Sequence, residues 1–319
     1  MISIKPNIHS VTAFAPATCA NVAVGFDILG FAFEEIGDYV KLTRRHDNQI
    51  VIKSIKSVNA NEKLPFDMGK NTASAVIQKV CQELKLETGF SIEIRKEIPL
   101  SSGMGGSAAS AVAALVAFNA FIDSALSPYE LIRYALWGEQ IASGQQHADN
   151  IVPCIFGGLT LTHSLNPIAV IQLPIPELYC VLIHPHLYVS TKQARAILNK
   201  SILLTDYTKQ SANLAAFIVS LYKHDLSLLQ KSLTDILIEP QRARFVPGFY
   251  DIKAAALAAG ALGVSFSGSG PSMFAFAKHK SEAETIMNAM QEQLNKQKVN
   301  SDCWISPISR YPAHVKQIH

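Results

Sequence analysis

Residues 99–110 read Pro-Leu-Ser-Ser-Gly-Met-Gly-Gly-Ser-Ala-Ala-Ser, with three glycines inside four positions. This loop constrains the chain more than any other segment. Before it, Phe90-Ser91-Ile92-Glu93-Ile94-Arg95 alternates at period two and predicts a strand. After it, an alanine-rich run predicts a helix. The glycines allow positive φ and close backbone approach. Small Ser and Ala side chains leave the amides of the first helical turn unobstructed. Those N–H groups lack intrahelical partners, and with the positive end of the helix dipole they form an anion site suited to a triphosphate. Ser107 adds a hydroxyl that can reach phosphate or Mg²⁺. A glycine-rich turn ahead of an ordinary packed helix would have the same composition, so the loop alone leaves both readings open. It is not a Walker A loop, because no Gly-Lys-Ser/Thr follows. Gly103, Gly105 and Gly106 are also wrongly spaced for a dinucleotide fingerprint, and Asp123, the nearest acidic residue downstream, ends the same helix.

The rest of the chain excludes several function classes. Its 319 residues suit two domains or one large one, and 49% hydrophobic content supports a sizeable core. Only 17% of residues are charged, with a net charge of +3. A thinly charged, nearly balanced chain whose densest basic stretch is Lys41-Leu42-Thr43-Arg44-Arg45 is a poor nucleic-acid binder. Cys19, Cys81, Cys154, Cys180 and Cys303 have no metal-site or redox spacing, which predicts buried reduced thiols. No secretory h-region precedes Phe14–Cys19, and the apolar stretch Ala108–Ile122 is too short to span a bilayer. The expectation is a soluble cytoplasmic protein with neither membrane nor nucleic-acid partner.

Strand and helix patterns intermix without the strict rhythm of a doubly wound sheet, so the predicted class is α+β with two domains, 1–165 and 166–319. Strands are expected at 38–43, 49–53, 90–95, 168–173, 178–184, 262–267 and 272–277. Asn71 predicts a helix cap, with Val76, Ile77, Val80, Cys81 and Leu84 on one face. Ser127, Pro128 and Glu130 form a complete helix start. Further helices are expected at 190–199, 209–222, 249–259 and 281–297.

The 99–110 segment resembles the central motif of the GHMP kinases, Pro-x-x-x-Gly-Leu-Gly-Ser-Ser-Ala-Ala. Met104 stands for the family's Leu, and Gly106 for the first of its paired serines, which removes that hydroxyl; Ser107 keeps the second. Gly263–Ser272 resembles the family's C-terminal glycine motif, and Ala15–Asp27 its N-terminal one. The resemblance implies an ATP-dependent kinase with an N-terminal domain like ribosomal S5 domain 2, containing a left-handed βαβ crossover. A ferredoxin-like C-terminal domain would follow, with the active site between the two. It assigns nucleotide binding to Pro99, Leu100, Ser101, Ser102, Gly103, Met104, Gly105, Gly106, Ser107, Ala108 and Ala109, adenine contact to Asn71, and Mg²⁺ ligation to Ser107 and Glu139.

Within the family, Ala15–Asp27 is similar to the form found in members that phosphorylate L-homoserine. Gly138-Glu139, His147–Asn150, Thr191–Arg195 and Glu239–Arg242 fit the same branch, whose product leads towards threonine. That substrate is a small zwitterion needing an acceptor for its amine, a cationic fork for its carboxylate and a path to the γ-phosphate. The resemblance gives Asp27 and Asn21 the ammonium, Arg195 and Arg242 the carboxylate, and places His147 nearby; guanidinium is the natural bidentate partner of a carboxylate. Arg244 is the rival to Arg242. Thr191 would orient the hydroxyl or the γ-phosphate. Asp149 is the remaining candidate base, or else braces its loop. Phosphoryl transfer depends mainly on positioning and charge stabilisation, so in-line transfer without a dedicated base is expected. The alternatives are another GHMP kinase, a non-catalytic sensor of the same fold, and a nucleotide-binding oxidoreductase. Homodimers are common in this branch, but no segment here marks an interface.

Overall fold

The computed structural model describes residues 2–58, 71–144 and 146–319. Its larger sheet has seven strands: β1 (Ser10–Ala20), β2 (Leu29–Arg45), β3 (Ile50–Ser57), β4 (Gly89–Lys96), β5 (Leu159–Leu165), β6 (Ile168–Leu173) and β11 (His314–Ile318). The order is β11-β1-β2-β4-β3, with β5 pairing β2 and β6 pairing β5. Among the described residues only β3 and β4 pair in parallel, with α1 (Thr72–Glu83) between them in sequence. α2 (Gly106–Phe121), α3 (Pro128–Ser143) and α4 (Ile151–Phe156) complete this half.

α2 is buried on nearly every side, from Ala108 to Phe121. It packs on β1, β2, α1 and α3, as expected of a helix with no polar face. α3 starts as predicted: Ser127 accepts the Glu130 N–H while the Glu130 carboxylate accepts the Ser127 N–H. Gly138 lets α3 close onto α1, since a Cβ there would lie 2.6 Å from Val76 Cγ1.

The second sheet contains β7 (Tyr179–Pro185), β8 (Gly263–Phe266), β9 (Met273–Ala277) and β10 (Ser301–Pro307), in the order β10-β7-β9-β8. The β10–β7, β7–β9 and β9–β8 pairs are all antiparallel. Numbered within the sheet this is order 4-1-3-2, the βαββαβ ferredoxin-like arrangement. The first crossover is elaborated into α5 (Thr191–Ala196), α6 (Leu204–Lys223), α7 (Leu226–Ser232), α8 (Glu239–Arg242) and α9 (Phe249–Ala258); the second is α10 (Lys280–Lys296).

Three features depart from the sequence expectation. The division after residue 165 falls within the β5–β6 hairpin, whose antiparallel ladder keeps β6 in the larger sheet. The chain changes sheet between Leu173 and Tyr179, and β11 later returns to pair with β1. β1 is not among the strands that the sequence patterns predict, and its ladder accommodates Pro16 at a register shift between Pro16 and Thr18. The sheets share one core: the Phe31 ring of β2 lies 5.4 Å from Phe276 and 6.2 Å from Phe274, both on β9. That packing fixes the cleft where the loops of both halves converge.

Candidate active site

Gly105 caps α2 from a left-handed conformation, φ 70°, and offers no side chain to the first-turn amides. A Cβ at Gly105 would fall 2.0 Å from Thr18 Oγ1 and 2.8 Å from Asn150 Oδ1, so both the dihedral and the space require glycine. Thr18 Oγ1 donates to Asn150 Oδ1 at 2.7 Å, closing a floor beneath the loop. The three glycine-bearing motifs, far apart in sequence, are joined here. Thr18 N donates to Met104 O at 3.1 Å, Ser272 N to Ser102 O at 3.1 Å, and Gly268 N to Ala20 O at 3.1 Å. Ser267 Oγ donates to Gly103 O at 2.9 Å.

Behind the loop lies a buried ionic cluster that the sequence reading missed. Lys96 Nζ pairs with Asp38 and also donates to Gly106 O at 2.6 Å and Ser110 Oγ at 2.9 Å. Its three ammonium hydrogens are thereby matched by three acceptors. Asp38 in turn accepts from Ser110 Oγ and from the backbone N–H groups of Glu97 and Ile98. The missed signal was in the period-two pattern itself. Lys96 continues the buried Phe90, Ile92, Ile94 face of β4, and Asp38 precedes Val40 and Leu42 on the buried face of β2.

The loop forms one wall of a cavity of about 470 Å³. Asn71 and Thr72 at the start of α1, Glu139 on α3, and His147, Asp149 and Asn150 line it from the larger-sheet half. Tyr188, Thr191, Lys192, Arg195, Arg242, Gly268 and Ser269 line it from the other. Thr72 Oγ1 donates to Ser107 O at 3.2 Å, placing the α1 and α2 N-termini side by side. Asn71 caps α1 by accepting the Ala73 N–H. Pro99, Leu100, Ser101, Ser102, Gly103, Gly105, Gly106, Ser107 and Ala108 all face the cavity. Met104 and Ala109 do not: both are fully buried in the core, because the helix start turns their side chains away from the loop's open side.

The opposite end is charged. Arg195 makes a bidentate pair with Asp27, Nη1 to Oδ2 at 3.0 Å and Nη2 to Oδ1 at 2.5 Å, so the two residues assigned to opposite poles of the substrate meet each other. Arg242 is buried and donates from Nε to Ala194 O at 3.3 Å and from Nη1 to Gly268 O at 2.9 Å. Its burial, followed by the Arg195 charge, lowers its pKa to about 10. Arg244 is exposed and caps Gln241 O instead. Asn21 accepts the Asp27 N–H at 3.0 Å and donates to Gly268 O at 2.8 Å, closing its own turn. Thr191 Oγ1 lies 3.4 Å from Ser269 Oγ. Burial, then the Asp27 charge, pushes the Asp149 carboxyl up to about 7. Burial, then Arg195, lowers the His147 pKa.

The profile of the GHMP kinases N terminal domain matches residues 71–158, and that of the GHMP kinases C terminal region matches residues 217–296. The chain is 46% identical over 315 residues to a homoserine kinase of Chloroherpeton thalassium, covering 95% of this chain and 98% of that protein. The chain belongs to the homoserine kinases of the GHMP family. A homoserine kinase of Chlorobium phaeobacteroides is 44% identical, covering 97% of this chain and all of its relative (100%). The crystal structure of homoserine kinase from Cytophaga hutchinsonii superposes with a TM-score of 0.93 at 41% identity, covering 98% of this chain and 99% of that one. The α+β two-domain GHMP fold expected from the motifs is thus the fold of this kinase, and ATP use follows from its family. The homoserine kinase cleft is walled by the glycine loop on one side and by the Arg195 and Arg242 charges on the other, with Asp27 paired to Arg195. Among the described residues no helix is long and apolar enough to cross a membrane.

Proposed function

We infer that this kinase transfers the γ-phosphoryl group of ATP to the side-chain hydroxyl of L-homoserine, giving O-phospho-L-homoserine and ADP on the way to threonine. One observation carries the assignment of residues: a single cavity has a helix N-terminus free of side-chain capping at one end and the Arg195 and Arg242 guanidinium groups at the other, the first of them paired with Asp27. The loop from Pro99 to Ala108 cradles the phosphates through backbone N–H groups, and Asn71 lies on the adenine side. At the charged end, a zwitterion exchanges the Asp27–Arg195 pair for two new ones. Its ammonium goes to Asp27, within the turn that Asn21 closes, and its carboxylate goes to Arg195 and Arg242. His147, largely neutral beside Arg195, adds a polar wall without a competing charge. Thr191 orients the hydroxyl.

Mg²⁺ fits the donor set. Ser107 and Glu139 share the cavity, and among the described residues no group of three or more His, Cys, Asp or Glu could hold a metal by itself. A magnesium ion relying on one carboxylate, one hydroxyl, water and phosphate oxygens matches that economy. Bound there, it would neutralise charge on the phosphates. The reaction is an in-line displacement: the hydroxyl oxygen bonds to the γ-phosphorus as the bond from that phosphorus to the β–γ bridging oxygen breaks, and ADP leaves with that oxygen. The hydroxyl proton passes to a phosphoryl oxygen or to water, and the loop amides stabilise the equatorial oxygens. The five unpaired cysteines, all with thiol pKa values raised by burial, suit a reducing, cytoplasmic setting. We assign strands β1–β6 and β11 to the ATP-side domain and β7–β10 to its companion.

ADP release from Mg-ATP with L-homoserine, L-serine, mevalonate or galactose tests the substrate. Turnover on homoserine alone is expected. Preference for mevalonate or galactose would discard the roles given to Asp27, Arg195 and Arg242, and silence on all four with ATP bound would favour a sensor.

No dedicated base is required by this scheme. Asp149→Asn is therefore expected to keep kcat within about tenfold, with KM for homoserine unchanged. Because the Asp149 carboxyl ionises near pH 7, base catalysis by it would give kcat a rising limb through neutrality that the Asn variant loses. A loss of about 10³-fold or more together with that limb would make Asp149 the base.

A further inference from the structure

We propose that Phe26 is a positioning residue for substrate recognition, its ring serving as a shared platform that holds the Arg195 and Arg242 guanidinium groups side by side towards the substrate carboxylate. The inference rests on the homoserine reading and extends it to a residue behind the cavity wall. Among the described residues lining the cavity, both arginines appear and Phe26 does not. The Arg195 guanidinium carbon lies 5.3 Å from the Phe26 ring centroid, and that of Arg242 lies 5.4 Å away. An aromatic face carries negative quadrupole charge and attracts a guanidinium within about 6 Å. Two cations around one ring repel each other, so a single attractive surface in contact with both offsets part of that repulsion. The hydrogen bonds act on each arginine separately, Ala194 O and Gly268 O on Arg242 and Asp27 on Arg195, while the Asp27 charge is felt by both.

The backbone delivers the ring with unusual conformations. Asn21, Val22 and Ala23 are successive left-handed residues, with φ of 71°, 46° and 59°, and Asp27 follows at 64°. A β-branched valine is a steric outlier there, and such strain persists only where its surroundings over-determine it. Here they do. Gly25 N donates to Asn21 O at 2.8 Å, Asp27 N to Asn21 Oδ1 at 3.0 Å, and Asn21 Nδ2 to Gly268 O at 2.8 Å. The turn therefore presents two adjacent side chains as a unit, Phe26 against both guanidinium groups and Asp27 paired with Arg195.

The platform predicts an aromatic-specific, carboxylate-specific effect. Steady-state kinetics are compared for L-homoserine and 3-amino-1-propanol, which keeps the amine and hydroxyl but lacks the carboxylate. Phe26→Leu is expected to raise KM for homoserine about tenfold, with kcat and KM for ATP within about twofold. Turnover of 3-amino-1-propanol should be unaffected, and Phe26→Tyr should restore homoserine binding. Should Phe26→Leu fail to fold, Phe26→Met carries the same comparison. Equal weakening of both substrates, an unchanged homoserine KM, or an aliphatic variant that matches Phe26→Tyr would overturn the platform while leaving the homoserine reading standing. Wild-type inactivity on homoserine would instead remove the reading, and the platform with it.

Discussion

Replacing Glu139 with alanine is expected to lower kcat for homoserine phosphorylation by about 10³-fold, the scale seen when one element of charge stabilisation is removed from a transition state. Glu139 is the carboxylate that α3 contributes to the cavity wall shared with Ser107. It reaches that position because α3 starts at a fixed point, the Ser127–Glu130 capping box, and because Gly138 lets the helix close onto α1. If the carboxylate holds Mg²⁺ against the phosphates, the defect belongs to turnover and to the magnesium requirement. The variant should then need more magnesium for half-maximal rate, with homoserine KM little changed. Glu139→Ala turning over like the wild type at the same magnesium concentration would end the metal assignment while leaving the kinase activity in place.

Lys96→Met should produce the largest loss of stability, about 3–5 kcal/mol, because it leaves the Asp38 carboxylate buried without its counter-ion. Lys96 and Asp38 side chains are only 4% and 0% exposed, so water cannot take the ammonium's place. The same variant frees the Gly106 carbonyl in the first turn of α2, and KM for ATP should rise in whatever fraction stays folded. Adding Asp38→Asn removes the orphaned charge while keeping an acceptor for the Glu97 and Ile98 N–H groups, and should recover most of the lost stability. Urea unfolding of the single and double variants measures this directly. A single variant within about 1 kcal/mol of wild type would show that the pair is not what holds the loop's rear wall.

What the sequence alone determined is what short-range geometry dictates. The α2 start, the Ser127 box and the Asn71 cap are visible because each is settled by dihedral freedom and hydrogen bonds within a few residues. The motifs at 15–27, 99–110 and 263–272 further identified the family, and with it the two-domain fold. Periodicity located the faces of β4 and α1 but was not followed one step further, to Lys96 and Asp38, whose charges read as surface when taken singly. Tertiary structure decided the pairings. Asp27 meets Arg195 across 168 positions, β11 returns to β1 at the far end of the chain, and the β5–β6 hairpin stays with the larger sheet. Nothing local selects such a partner. A charge or an aromatic ring accepts many neighbours, and only the packing of two sheets around Phe31, Phe274 and Phe276 brings Phe26, Arg195 and Arg242 to one place.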